Sequence, residues 1–276
     1  MDPILFAAWV VIFFFGASLG SFLNVCISRW PAELSVVSPR SRCPRCEKSI
    51  AWYDNVPVVS WLLLRAKCRG CGLPISAQYP LIEVTVGVIW VLTVWHFGIT
   101  FTALRIGIAA TILLGVMMTD LLHYVIPDGF TLTGFLIGVF APLIALVVGD
   151  HGPFALPWDA VIGACAGAGL IAIVGWLGEI AFGKEAMGQG DITLMAMIGA
   201  MVGPSRSILT IFLAAGIGAV VFLLIVLPVG ALRAKQRGVE FEPPLVPFGV
   251  FLAPAGMVAL LWGDQLLRAY LSMAGL

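Results

Sequence analysis

The chain has 276 residues, 61% of them hydrophobic and only 11% charged, with a formal net charge of zero and a mean hydropathy of +1.05. Soluble domains carry about 25% charged residues, so this composition excludes a water-soluble fold and points to a polytopic membrane protein whose solvent is the lipid bilayer. The neutral balance names no partner, and no nucleic-acid partner is expected.

A spanning helix needs roughly 20 mostly apolar residues. The first apolar run, from Ile4 to about Ile27, has Asp2 ahead of it and no basic residue. It also lacks a small-x-small cleavage site, so it reads as a retained helix and not as a secretory signal. Seven further spans follow, at 79–97, 101–121, 129–149, 157–182, 191–203, 207–230 and 247–270, and the sixth of the eight, 191–203, is short. The expected fold class is all-α, a membrane bundle of about eight helices. Gly-x-x-x-Gly pairs recur at Gly16/Gly20, Gly134/Gly138, Gly163/Gly167 and Gly199/Gly203. Small residues at that spacing let helices approach closely in lipid. No internal repeat is evident in the sequence.

Lysine and arginine favour cytoplasmic loops. With eight spans, twelve of the fifteen basic residues fall on one side: eight in the 28–78 loop, Lys184 in the 183–190 turn, and Arg233, Lys235 and Arg237 in the 231–246 loop. Arg105, Arg206 and Arg268 fall on the other. A seven-span chain would split these basic loops between the two faces. The eight-span reading makes the long loop cytoplasmic, and it puts Asp120, ending the third span, and Asp191, beginning the sixth, near the same interface.

The 28–78 loop carries Cys43-Pro-Arg-Cys46 and, 21 residues on, Cys68-Arg-Gly-Cys71. Two such knuckles form a tetrahedral thiolate site for structural zinc. Pro44, Gly70 and Gly72 suit tight turns, and neighbouring Arg and Lys favour thiolates. Disulfides are the rival reading, and they need an oxidising compartment. Four thiolates leave no open position, so the metal is structural. Cys26 and Cys165 read as packing residues.

Acids at a membrane edge tend to mark function. Two carboxyls sharing one site hold one proton between them: the ionised group activates a water and the protonated one polarises a carbonyl. Asp120 and Asp191 fit that design. Gly188 and Gly190 beside Asp191 leave room for an extended chain. Asp191 also reads as a cap of the sixth span, whereas Asp120, at a helix end, has no capping role. Asp128 reads first as the cap of the fourth span. Glu179 near the end of the fifth span has no assigned role, and His96, His123 and His151 are too scattered for a metal triad.

These residues sit in a recognisable frame. Gly20-Ser21-Phe22-Leu23-Asn24-Val25 followed by Arg29-Trp30-Pro31, then the two knuckles with Trp52-Tyr53-Asp54-Asn55-Val56-Pro57 between them, Pro74-Ile75-Ser76 and Tyr79-Pro80-Leu81-Ile82-Glu83 resemble the type IV prepilin peptidases in order. So do Asp120-x7-Asp128 with Ile126-Pro127, and Gly183-Lys184-Glu185-Ala186-Met187-Gly188-Gln189-Gly190-Asp191. The resemblance covers about Gly16 to Gly203.

It implies a multi-pass enzyme of the bacterial inner membrane. Such an enzyme cleaves the leader of type IV prepilins or type II secretion pseudopilins on the cytoplasmic side. It then N-methylates the new terminal residue with S-adenosylmethionine. By motif position, Asp120 and Asp191 are the implied catalytic aspartates, and Glu83, Gly20 and Asn24 are candidates for methylation. The implied organisation is an N-terminal domain over 1–97, an aspartic peptidase membrane domain over 98–230, and a loop and last helix over 231–276. Many members carry Lys where this chain has Thr193. A peptidase without methylation, a proton-coupled transporter and a docking module are the competing readings; transporters place membrane acids nearer the midplane.

Overall fold

The computed structural model describes residues 2–150, 152–183, 187–237 and 246–275, and among these described residues it has ten α-helices and no β-strand. Lys184, Glu185, Ala186 and His151, which enter the sequence reading above, lie outside the described residues, as does most of the loop expected after 237. The contacts divide the chain into two units, Met1–Gly115 and Val116–Leu276.

In the first unit, α1 (Pro3–Arg29) starts on Asp2, whose side chain accepts the Ile4 N–H at 3.0 Å, with Pro3 in the first turn. That is the arrangement in which a missing proline N–H costs nothing. The short α2 (Val59–Leu63) lies inside the polar loop, and α3 (Gln78–Phe97) returns against α1. A Cβ on Gly16 would lie 3.0 Å from Gly87 Cα, and one on Gly20 would lie 2.8 Å from Glu83 Cα. The first glycine pair therefore sets the α1–α3 crossing. Helix α4 (Phe101–His123) begins in this unit, where Thr111 accepts the Trp90 indole N–H at 3.2 Å.

In the second unit, α4 ends at Tyr124, which takes a left-handed φ of 57°, a common way to stop a helix. Then come α5 (Asp128–Val148), α6 (Pro157–Phe182), α7 (Gln189–Val202), α8 (Pro204–Val221), α9 (Leu227–Arg237) and α10 (Gly249–Met273). Helix α7 is the centre. From Leu194 to Val202 only Ala196 among its side chains escapes full burial, and α5, α6, α8 and α10 surround it. Gly163 packs on the backbone of Gly199, and a Cβ on Gly167 would lie 2.5 Å from the Met195 carbonyl, so α6 and α7 run antiparallel. Gly134 faces Met197 and Gly138 faces Ala200. Gly256 faces Ile198. By that register α5, α7 and α10 run parallel, and their N-termini share one level.

Among the described residues, seven helices are long and apolar enough to cross a membrane by length and composition, and α7 is a shorter apolar one. Fourteen residues rise about 21 Å, short of a hydrocarbon core. A helix wrapped by protein is not held to that thickness by lipid. The seventh expected span differs from the reading above. Helical structure runs unbroken from Pro204 to Arg237, with one π-type turn over Phe222–Val226. Residues 231–237 are thus helix, because Ala231, Leu232, Arg233, Ala234, Lys235 and Gln236 are all strong helix formers.

Candidate functional site

The first unit holds the cysteine cluster. The four Sγ atoms of Cys43, Cys46, Cys68 and Cys71 lie within 4.8 Å of one another, and Cys43 and Cys71 approach to 3.9 Å. Tetrahedral zinc with Zn–S of about 2.3 Å needs S–S separations of ~3.8 Å, so the donor set and spacing fit that ion. The backbone also repeats. Cys43 N–H donates to Lys48 and Cys68 N–H to Leu73; Glu47 N–H donates to Cys43 and Gly72 N–H to Cys68; Ile50 N–H donates to Ser41 and Ile75 N–H to Ala66. Each knuckle closes on one antiparallel bridge, Arg42 with Ser49 and Lys67 with Pro74. The matching turn residues, Glu47 and Gly72, share a positive φ of 55° and 70°. The sequence carries the same repeat, a basic residue, Cys-x-x-Cys and an isoleucine four places on (Arg42 to Ile50, Lys67 to Ile75), with glutamate opposite glycine at the turn. The N–H groups of Cys46 and Arg45 pull the Cys43 thiol down to about 6, which favours the thiolate that binds metal. Asp54 receives a two-pronged hydrogen bond from Arg69, both at 2.7 Å, tying the second knuckle to the intervening segment.

The methylation candidates also meet in this unit. Glu83 is buried; its Oε2 accepts the Val58 N–H at 2.7 Å and its carboxyl bonds Ser21. Asn24, also buried, donates to the Tyr79 carbonyl at 3.1 Å. Gly20 lies directly against Glu83.

The second unit brings the two aspartates together. Asp120, 5% exposed, accepts the N–H of Val250 at 3.1 Å and that of Gly249. Both donors belong to the first turn of α10, so the carboxyl sits at a helix N-terminus, where the dipole and free N–H groups favour an anion. The expectation that Asp120 has no capping role is corrected here: it caps a helix distant in sequence. Asp191 lies in the first turn of α7 and accepts the N–H of Gly188, the residue preceding that helix. This is half of a capping box. The two helix N-termini that hold the carboxyls meet across one side chain, Ile126. Ile126 lies between them: a Cβ on Gly190 would fall 2.9 Å from Ile126 Cβ, and one on Gly249 would fall 2.8 Å from Ile126 Cδ1 and 2.7 Å from Asp120 Oδ2. Among the described residues, Gly188 is uncrowded, the nearest atom to a built Cβ being Asp191 Oδ2 at 3.9 Å. Asp128 is exposed, one position inside α5, with Pro127 at the cap and no side-chain cap bond; the cap expected there is not made. Thr193 donates back to the Gly190 carbonyl at 3.0 Å. Gly249 and Ile126 are the site residues that the sequence reading left without a role. No motif announces Gly249, and Ile126 entered only as part of a signature.

Comparison with known proteins gives a consistent result. The profile described as "Bacterial Peptidase A24 N-terminal domain" matches residues 14–97, and that described as "Type IV leader peptidase family" matches residues 107–223. A prepilin leader peptidase/N-methyltransferase of Stutzerimonas stutzeri is 35% identical, covering 100% of this chain and 97% of its own. Proteins with the same description from Pseudomonas aeruginosa (36% identical, 94% of this chain and 92% of theirs) and Myxococcus xanthus (39%, 85% and 68%) are similar. No solved structure matches the chain.

Proposed function

The chain belongs to the type IV leader peptidase family, and on that premise we propose that it cleaves the leader of type IV prepilins or type II secretion pseudopilins and then N-methylates the new terminal residue. The observation that carries the reading is the placement of Asp120 and Asp191: Asp120 accepts from the first turn of α10, Asp191 lies in the first turn of α7, and Gly249 and Gly190 of those turns meet the same Ile126 side chain. In this reading the pair shares one proton. The ionised member takes a proton from water as its oxygen attacks the scissile carbonyl, and the other donates to the carbonyl oxygen. Collapse then breaks the C–N bond and returns a proton to the leaving amine. Gly188 and Gly190 give the extended substrate backbone access to Asp191.

The surrounding assignments follow. The excess of Lys and Arg in the cysteine loop supports a cytoplasmic site at the bacterial inner membrane. Cys43, Cys46, Cys68 and Cys71 hold a structural zinc. Glu83, Gly20 and Asn24 serve methylation from the α1–α3 crossing. When bound, S-adenosylmethionine supplies a sulfonium-activated methyl group to the freed amine. The test is co-expression with a panel of prepilins and pseudopilins, scored by size shift and terminal mass. A shortened, singly methylated product supports the reading. Uncut substrates across the whole panel, with the enzyme folded in the membrane, contradict it.

A further inference from the structure

A cavity of about 470 Å³ opens in the first unit between the second half of α1 and the segments on either side of the first knuckle. Small-molecule sites run from roughly 300 to 1,000 Å³. Along α1 the lining extends from Ser18 to Arg29, a rise of about 16 Å. Arg29 follows the apolar run that ends at Ile27. The cavity therefore starts at the polar-loop end of a membrane span and continues down beside it. One end meets headgroups and the other meets acyl chains.

The upper end is cationic. Arg29 and Arg40 are the charged residues of the lining, and no carboxylate accompanies them. Two guanidiniums facing one space repel each other, and an anion between them removes that cost. Arg29 gives one N–H to the Ser35 carbonyl at 3.0 Å, which fixes its side chain and leaves other donors for a ligand. Guanidinium donors match phosphate oxygens in pairs. The same lining carries Trp52, 80% exposed, and indole rings favour the headgroup level of a bilayer.

The lower end is apolar. Phe22 and Val25 line it, and half of the Phe22 surface is open. Ser18, the lining residue furthest from Arg29 along α1, spends its hydroxyl on the Phe14 carbonyl at 2.7 Å, so it offers little polarity to hydrocarbon. A soluble anion would leave this end unfilled. A molecule with a phosphate at one end and an acyl chain at the other fills both. The walls are also held in place without a ligand: Ser21 lines the cavity and bonds Glu83, and Val58, next to the lining residue Pro57, donates to the same carboxyl at 2.7 Å.

We infer that this cavity holds one anionic phospholipid, its phosphate between Arg29 and Arg40 and an acyl chain along Phe22 and Val25. Such a lipid fastens the segments around the first knuckle to α1 at the bilayer surface. The inference rests on the membrane span of α1 and not on the activities proposed above.

The experiment places the purified full chain in nanodiscs of phosphatidylcholine containing a rising fraction of phosphatidylglycerol with a photoreactive acyl chain. Labelled peptides are then identified by mass. Label on the peptide carrying Phe22 and Val25 is expected to saturate, and to exceed about five-fold the label left there by photoreactive phosphatidylcholine. Unlabelled phosphatidylglycerol is expected to displace it, and inorganic phosphate is not. Arg29→Gln and Arg40→Gln are each expected to raise the half-saturating lipid fraction about five-fold, with melts and zinc content showing that the variants fold. Unchanged saturation in the folded variants overturns the assignment. Two further outcomes overturn it in the wild-type protein alone: equal labelling by the two lipids, and displacement by inorganic phosphate, which would mark a site for a free anion.

Discussion

The carboxyl of Asp120 and the backbone N–H of Val250 meet at 3.1 Å across 130 positions of sequence. The acid that ends α4 is therefore also the cap of α10. The two roles separate by substitution. Asn retains an oxygen that accepts from Val250, whereas Ala does not. Asp120→Ala should lower unfolding stability by about 1 kcal/mol relative to Asp120→Asn, read from thermal melts in detergent. Equal melts for the two variants would show that the cap contributes nothing.

Gly190 and Gly249 press on Ile126 from two helices. Gly190→Ala should reduce cleavage by pushing Ile126 off its seat. Trimming that side chain should relieve the clash, so the Gly190→Ala/Ile126→Ala double variant should cleave better than Gly190→Ala alone. Residues in contact couple by about 0.5–3 kcal/mol. Strictly additive losses in cleavage rate would place Ile126 outside the site.

Much of this was legible in the sequence because the signals are local. Span positions follow from runs of apolar residues, the metal cluster from two Cys-x-x-Cys pairs, and the helix crossings from glycine spacing. What escaped is nonlocal. Nothing near Asp120 in sequence reveals that its partner is the start of α10. Gly249 has no motif, and its importance lies only in what a side chain there would strike. The knuckle repeat is partly local, in the shared basic-Cys-x-x-Cys-x-x-x-Ile pattern, but its matching turns are not, since Glu47 fills the left-handed position of Gly72. The start of the loop expected at 231–246 differs for a plainer reason: residues 231–237 are helix, because the charged residues after Gly230 are good helix formers and their polarity reads as a break.

The cysteine cluster predicts one zinc per chain by metal analysis. Cys43→Ser should lose it, because three thiolates bind far more weakly than a closed set of four. Acidification should release zinc from the wild type as thiolates protonate. A folded wild-type protein without metal would contradict the assignment.

The Arg69 hydrogen bond holds the Asp54 carboxyl below the usual carboxylate range. A depressed carboxyl contributes stability above its unfolded pKa and loses it as pH falls through the folded one. The Asp54–Arg69 tie should therefore stay constant from pH 7 to pH 5. Asp54→Asn should raise the zinc-release rate modestly, the pair being exposed on the Arg69 side and therefore weakened by solvent screening, and added salt should shrink the difference. A difference that disappears by pH 5 would reject this account.

Gly20 lies so near Glu83 that a Cβ there would sit 2.8 Å from Glu83 Cα. Gly20→Ala should spread α1 from α3 and abolish methyl transfer while leaving cleavage intact, checked by terminal mass of processed pilin. Retained methylation would separate the crossing from that activity.

The most direct measurement is single-turnover cleavage of a purified prepilin by Asp120→Asn and Asp191→Asn, each shown by its melt to be folded. The paired-carboxyl account predicts that either substitution slows cleavage by about 10²–10⁴-fold, with the double variant little worse than either alone. Wild-type rates in either folded variant would contradict it.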